Sequence, residues 1–261
     1  MIKMDLIPKG WFELKNGYKA YITHSGYGHF PGEKGEAIIE EIEKVMPTYV
    51  LIEYHPEDDK NLNLDYNYFY SFAFKKPPEK RTDSMWAILA GYKVGAKLIA
   101  FDVPRKKFHE NIYKSFLKYS KRFAIISTIA TTMIYEFRNR LKTGENPINY
   151  NEAFKIREKE FLNFAPEPIK RAIKKEGVKN LFKEWMQFEG FSSLEEFISF
   201  LLQYGNNLGY FMLYPSSKAR EKYIFKVVSK FAKKGKPAVV IGSRHIETWL
   251  KNNWIKLCDD K

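Results

Sequence analysis

The chain has one cysteine, Cys258, close to its C-terminus. No internal disulfide is therefore available, and a reducing, cytoplasmic setting is expected. Glutamine is almost missing, occurring only at Gln187 and Gln203, while lysine and glutamate abound, a bias that suits a thermophile. No apolar run reaches the roughly 20 residues of a spanning helix. The longest, Phe123 to Phe137, is interrupted by Ser127, Thr128, Thr131 and Thr132 and reads as a buried helix. The opening MIKMDLIPKG lacks a continuous apolar stretch and a small-residue cleavage site, so no signal peptide is expected. Repeats and low-complexity segments are absent as well.

What is present is a globular composition. The 261 residues are 44% hydrophobic and 16% aromatic, enough for a sizeable core and too apolar for disorder. A net charge of +13 raises the question of nucleic acid. Residues 106–215 carry 18 Lys/Arg against 12 Asp/Glu, a net of +6. The charge is thus spread along the chain, whereas a binding face concentrates it on one helix or stripe. A solvated basic surface is the expectation, and nucleic acid is an unlikely partner.

Periodicity divides the chain. WFEL, Asn16-Gly17 and YKAYIT make an N-terminal hairpin signal, with a two-residue turn expected because both Asn16 and Gly17 tolerate positive φ. A glycine-punctuated loop covers 25–35. A helix is expected near 34–46, from the stripe Ala37, Ile38, Glu41, Ile42 and Val45. Tyr49 to Ile52 reads as a strand, His55-Pro56 opens a polar loop, and Thr82 or Asp83 caps a helix over 84–94. Lys97 to Phe101 is the next strand. From about 106 to 214 the pattern is helical only, with Pro147, Pro166 and Pro168 as punctuation and a capping box at Ser193-Leu194-Glu195-Glu196. After Pro215, Ser216 or Ser217 opens a helix to about Lys234. Pro237 to Ile241 is a strand, a last helix follows, and Trp254 to Cys258 forms a terminal strand. The expected fold is α/β: a mostly parallel sheet with helices on both faces, an N-terminal hairpin and a large all-helical insertion. The core is 1–105 with 216–261, and the insertion or cap is 106–215.

Four strand-like runs end in polar groups: KAYIT in His24, YVLI in Glu53, KLIAF in Asp102, and PAVVI with Gly242 in His245. Ligands of open α/β sheets bind beyond the carboxyl ends of the strands. If these strands are parallel neighbours, the four groups meet on one rim. His55 lies two residues after Glu53, so strand alternation aims both at one face. Two histidines with carboxylates can hold a divalent ion (Zn, Mn or Co) with a position left for water, whose pKa the metal lowers to about 7. The bland alternative is that a strand-end histidine packs against a loop and that Asp102 caps its own turn. His29 and His109 have no such context and read as structural. Arg220 precedes the stripe Ile224, Val227, Val228 and Phe231 at helical spacing, so it points along a buried face. A buried arginine wants an anion or a carboxylate, and a structural ion pair with Glu53 would satisfy it equally.

These residues resemble the TraB/PrgY-like superfamily, which includes Wnt-cleaving metalloproteases, erythromycin esterases and ChaN-like haem-binding proteins. Gly242-Ser243-Arg244-His245 matches the second Gly-x-x-His motif of that superfamily in full. Ala219-Arg220-Glu221 resembles its Arg-Asp helix start, with Glu221 in place of aspartate. Ile52-Glu53-Tyr54 looks like its Val-Glu-Leu strand end, and Gly95-Ala96-Lys97 to Asp102 like the strand after it. The first motif departs: Tyr21-Ile22-Thr23-His24 has tyrosine where glycine is expected. The resemblance covers roughly 18–105 and 216–250. It implies a metal-dependent hydrolase, peptidase- or esterase-like, acting on a peptide or small molecule. His24, Glu53, His55 and His245 would be metal ligands, and Glu53, Asp102 and Arg220 catalytic. A non-catalytic peptide- or haem-binding protein of the same fold is the second implication, and a nucleic-acid-binding protein using the basic insertion is the third.

Overall fold

The computed structural model describes residues 7–24, 35–57, 61–142, 144, 145 and 147–258; for Lys80, Lys142 and 204–219 it describes the backbone alone. The glycine loop after His24, with His29, lies outside the described residues. The chain divides into two compact units: Met1–Val103 with Arg220–Lys261, and Pro104–Ala219.

The first unit is an α/β sheet. In chain order its elements are β1 (Gly10–Leu14), β2 (Lys19–Thr23), α1 (Gly35–Val45), β3 (Tyr49–Ile52), α2 (Tyr66–Phe74), α3 (Asp83–Lys93) and β4 (Lys97–Ala100), and, after the second unit, β5 (Pro237–Val240), α10 (Ser243–Lys251) and β6 (Ile255–Leu257). The strand order is β4-β3-β5-β2-β1-β6. β4, β3, β5 and β2 run parallel, with Ile52 beside both Ala100 and Val240, and Thr23 beside Val240. β1 pairs antiparallel with β2 and with β6.

Side-chain alternation builds two cores from one sheet. Val50 and Ile52 with Leu98 and Val240 pack on Ile38 and Ile42 of α1 and on Met85 to Ile88 of α3. Leu51, Ile99 and Val239 face the other way. They pack on Ile224, Val227, Val228 and Phe231 of α9 (Leu194–Ala232) and on Ile246 and Trp249 of α10. The sheet is covered on both faces, which is why its parallel strands are continuous apolar runs.

The hairpin turn corrects the expected geometry. Gly17 has φ +81, whereas Asn16 is not among the described residues of positive φ. Leu14 N–H donates to Tyr18 O at 2.8 Å and Gly17 N–H to Leu14 O at 2.7 Å. This is a three-residue loop with glycine alone in the left-handed region, rather than a two-residue turn. The Asn16 side chain instead accepts from Tyr18 N–H at 3.3 Å.

The second unit is helical: α4 (Arg105–Phe116), α5 (Lys121–Lys142), α6 (Tyr150–Phe164), α7 (Glu167–Glu176), α8 (Val178–Phe188) and the first part of α9 (Leu194–Ala232). Phe137, Phe161, Phe182 and Phe197 are fully buried in its core. Two helix boundaries differ from expectation. α9 runs unbroken from Leu194 to Ala232 through Pro215, where a break was expected. An interior proline costs a helix about 3 kcal/mol, and the apolar residues that α9 buries in both units offset it. α2, placed in a loop by the sequence reading, is a nine-residue helix whose N-cap Asp65 accepts from Tyr68 N–H at 2.8 Å. Its six rings in nine residues leave no apolar stripe to read.

Candidate functional site

Because Leu51 faces α9 and α10, the next residue of that parity, Glu53, leaves β3 on the same side. There it meets Arg220, the first α9 residue of the α/β unit, and His245, in the first turn of α10. Arg220 donates through Nε to Asp102 Oδ1 at 2.9 Å and through Nη2 to Asp102 Oδ2 at 2.7 Å. Its Nη2 also hydrogen-bonds Glu53 Oε1. The two-pronged contact with Asp102 uses the planar fork that only arginine has. The Asp102 and Glu53 side chains keep 2% and 7% of their area exposed and that of Arg220 23%, so the guanidinium is the most solvent-facing member of the three.

His245 sits between two carboxylates. Its Nδ1 is 2.5 Å from Glu221 Oε1, and its Nε2 is 3.5 Å from Glu53 Oε1. Glu221 is itself held by the buried Trp249, whose Nε1–H donates to Oε2 at 2.9 Å. Burial opposes a charged imidazole here, but the attraction of Glu53 and the bonds to Glu221 and Glu53 outweigh it, and the pKa is raised to about 9. Burial likewise pushes the Asp102 carboxyl up, yet the charges of Arg220 and His55 and the Arg220 hydrogen bonds hold it below its ordinary value.

His55 also reaches this cluster, though not by simple alternation. Tyr54 N–H turns back onto Ile52 O at 2.8 Å and ends the strand. His55 then places Nδ1 2.7 Å from Val103 O and Nε2 3.5 Å from Asp102 Oδ2. Asp102 Oδ1 accepts from Val103 N–H at 2.7 Å, so the turn-capping role is real and coexists with the ion pair.

His24 stands apart. β2 is the neighbour of β5, so the backbone positions are adjacent. The buried imidazole, however, bonds through Nε2 to Ile7 O at 3.1 Å, and its charged neighbours are Lys9, Glu41 and Asp83. Burial, with Lys9, lowers its pKa below the usual value. No hydrogen bond or ion pair joins it to Glu53 or His245 among the described residues. Beside it, Thr23 bonds Glu41, and Lys9 pairs with Glu41 at 3.1 Å. Tyr21, at the position of the missing glycine, packs edge-on against Trp11 at 5.8 Å.

This geometry corrects the expected metal site. Among the described residues no three His, Cys, Asp or Glu side chains are grouped to hold a metal ion. The physical reason is that the donors are already committed: Glu53 and Asp102 to the Arg220 cation, His245 to Glu221, His55 to Val103 and Asp102, His24 to Ile7. A divalent ion among them would face a guanidinium and an imidazolium at short range. The residues present do not fit a Zn, Mn or Co ion as they stand.

A second charged cluster, unread in the sequence, lies in the helical unit. His109 is fully buried, with Nε2 3.0 Å from Glu160 Oε1. Arg157 bonds Glu160 and donates to Glu136 at 2.6 and 3.0 Å. Arg140 continues the chain to Glu136 at 2.6 Å and to Glu145 at 2.7 Å. The 3–4-residue spacings Glu136/Arg140 and Arg157/Glu160 were its only sequence signal. No family model, curated protein or solved structure matches the chain.

Proposed function

We propose that Glu53, Asp102, Arg220 and His245 form a hydrolytic site that cleaves an ester or amide of a small molecule or peptide. The observation that carries this reading is an imidazole placed between the Glu221 and Glu53 carboxylates, at the carboxyl edge of a parallel sheet and beside a partly exposed guanidinium. Resemblance of the Gly242–His245 and Arg220 motifs to the TraB/PrgY-like hydrolases points the same way.

The chemistry that these residues can supply is general acid–base catalysis with electrostatic stabilisation. Glu53 removes a proton from water as the oxygen attacks the carbonyl carbon. The negative charge that develops on the carbonyl oxygen is met by the exposed side of the Arg220 guanidinium. His245, charged below pH about 9, gives its Nε2 proton to the departing alkoxide or amine. The proton on Glu53 then returns to Nε2 across the 3.5 Å separation, restoring both groups. Asp102 and Glu221 act as positioning residues, holding the guanidinium and the imidazole in place.

The test is turnover of chromogenic acyl esters and fluorogenic peptides by the purified chain in the presence of a chelator, repeated with Glu53→Gln and His245→Asn. Activity in the parent, lost in both variants with the circular-dichroism spectrum kept, supports the reading. No turnover of any ester or peptide, or equal turnover by Glu53→Gln, overturns it. Activity that appears only with added Zn, Mn or Co overturns the metal-free chemistry.

A further inference from the structure

The helical unit carries a cleft of about 660 Å³ lined by α6, α8 and the start of α9. Phe154, Phe182 and Met186, all buried, make its floor, and the half-buried Tyr150, Phe191 and Leu194 stand around them. Ring contacts fix these side chains in place. Phe182 lies 5.9 Å from Phe154 and 5.6 Å from Trp185, and Phe191 packs edge-on against Phe197 at 5.2 Å. The volume is within the roughly 300–1,000 Å³ of small-molecule sites, which are mostly apolar with a few placed polar groups.

The polar groups of the cleft are sorted by helix. On α8, Lys179, Lys183 and Gln187 follow one another at four-residue spacing, in the row beside Phe182 and Met186. This helix therefore turns an apolar row to the floor and a basic row to the rim. Both lysines are exposed, and neither makes a hydrogen bond or an ion pair among the described residues. Two ammonium groups one turn apart repel each other, and an anion between them relieves that repulsion. The one carboxylate of the lining is Glu195, in the first turn of α9. Burial and the Glu195 charge raise the pKa of Tyr150, so Glu195 acts on the Tyr150 side of the cleft. An anionic group is repelled there and drawn to α8.

We propose that this cleft binds a small amphipathic carboxylate, with its apolar body on Phe154, Phe182 and Met186 and its carboxylate between Lys179 and Lys183. The site is independent of the proposed hydrolysis, since every residue in it belongs to the helical unit. Apolar burial supplies the affinity, and the lysine pair supplies the preference for a charged headgroup.

The experiment is calorimetric titration of the full chain with 2-naphthoate and with its uncharged amide. The expected result is saturable binding of naphthoate at one site, with the amide at least about tenfold weaker. Lys179→Ala with Lys183→Ala should weaken naphthoate by about tenfold and leave the amide unchanged. Both lysines are exposed, so this variant should keep its circular-dichroism spectrum and unfolding midpoint. Leu194→Glu places a carboxylate in a helix first turn, where it suits the helix dipole, and should weaken naphthoate by about tenfold or more through like-charge repulsion. With labelled methionine methyls, the Met186 resonance should move on binding and that of Met85 in the sheet unit should stay. Absence of naphthoate binding overturns the proposal, as does equal binding of the amide or unchanged affinity in the double lysine variant. Movement of Met85 with Met186 still overturns it by placing the ligand in the sheet unit.

Discussion

The two units each contain an arginine held by buried carboxylates with a histidine at one end, and they differ in how the partners are gathered. In the helical unit Arg140 and Glu136 are one helical turn apart, as are Arg157 and Glu160. In the sheet unit Arg220 reaches Asp102 across 118 positions and Glu53 across 167. In the helical cluster the histidine is sealed completely, while in the rim cluster Arg220 and His55 each keep 23% of the side chain exposed. Local spacing suits a fastener. Strand ends gathered from distant parts of the chain leave polar groups where a substrate can approach. The two clusters therefore share their chemistry and differ in access.

The largest expected effect separates them by turnover. Glu53→Gln should lower the proposed hydrolysis by about 10³-fold, within the usual range for losing a positioned base. Glu160→Gln in the helical cluster should leave turnover within about twofold, because general-base loss is confined to groups that touch substrate. Equal losses in a steady-state assay would break the comparison.

Stability should not separate them. Arg220→Ala leaves Glu53 and Asp102 short of their cation, and Arg157→Ala does the same to Glu136 and Glu160. Breaking a buried pair from one side costs about 3–5 kcal/mol, so both variants should unfold at distinctly lower urea. Arg220→Lys should regain part of the stability and little of the turnover, because lysine cannot span both Asp102 oxygens.

pH should separate the two clusters at the alkaline end. The folded pKa of His245 is raised from 6.5 to about 9, so its contribution is fully present below 6.5 and is lost as pH rises through about 9. A shift of this size corresponds to something on the order of 3 kcal/mol. Glu160 is the reverse case. Burial pushes it up, but the His109 hydrogen bond and Arg157 hold it down at about 2. Its contribution is present above 4.5 and is lost as pH falls through about 2. Amide exchange measured across pH should show the sheet unit loosening before the helical unit in alkali, and both units loosening in acid, because Asp102 too is held below its ordinary value. A helical unit that loosens first in alkali would break the comparison.

The smallest effects sharpen the picture. Trp249→Phe removes the hydrogen bond to Glu221 and should cost about 1 kcal/mol, with a downward move of the His245 titration seen by NMR. Arg122→Ala breaks an exposed pairing with Glu176 and Glu184 and should cost no more than about 1 kcal/mol.

Much of the sheet was legible because its signals are local. The β-branched run Tyr49 to Ile52 is the observed β3, and the Thr82/Asp83 start precedes the observed α3. Arg220 could be placed on a buried face from the stripe that follows it. α2 could not be read, since a segment that is aromatic on every side has no helical period. The run of α9 through Pro215 was equally hidden, because proline's local cost is visible in the sequence and the burial that offsets it is not.

The sequence by itself determined which residues stand at the ends of strands: β propensity and alternation are properties of five neighbouring residues. Tertiary structure alone decided which of those ends share partners. It joined Glu53, Asp102, His55, Arg220 and His245 through the order β4-β3-β5 and the start of two helices, and it turned His24 to Ile7, Lys9 and Glu41. It also put an arginine where a metal was expected. Charge pairing depends on distances of a few ångströms between segments far apart in the chain, and periodicity carries no information about those distances.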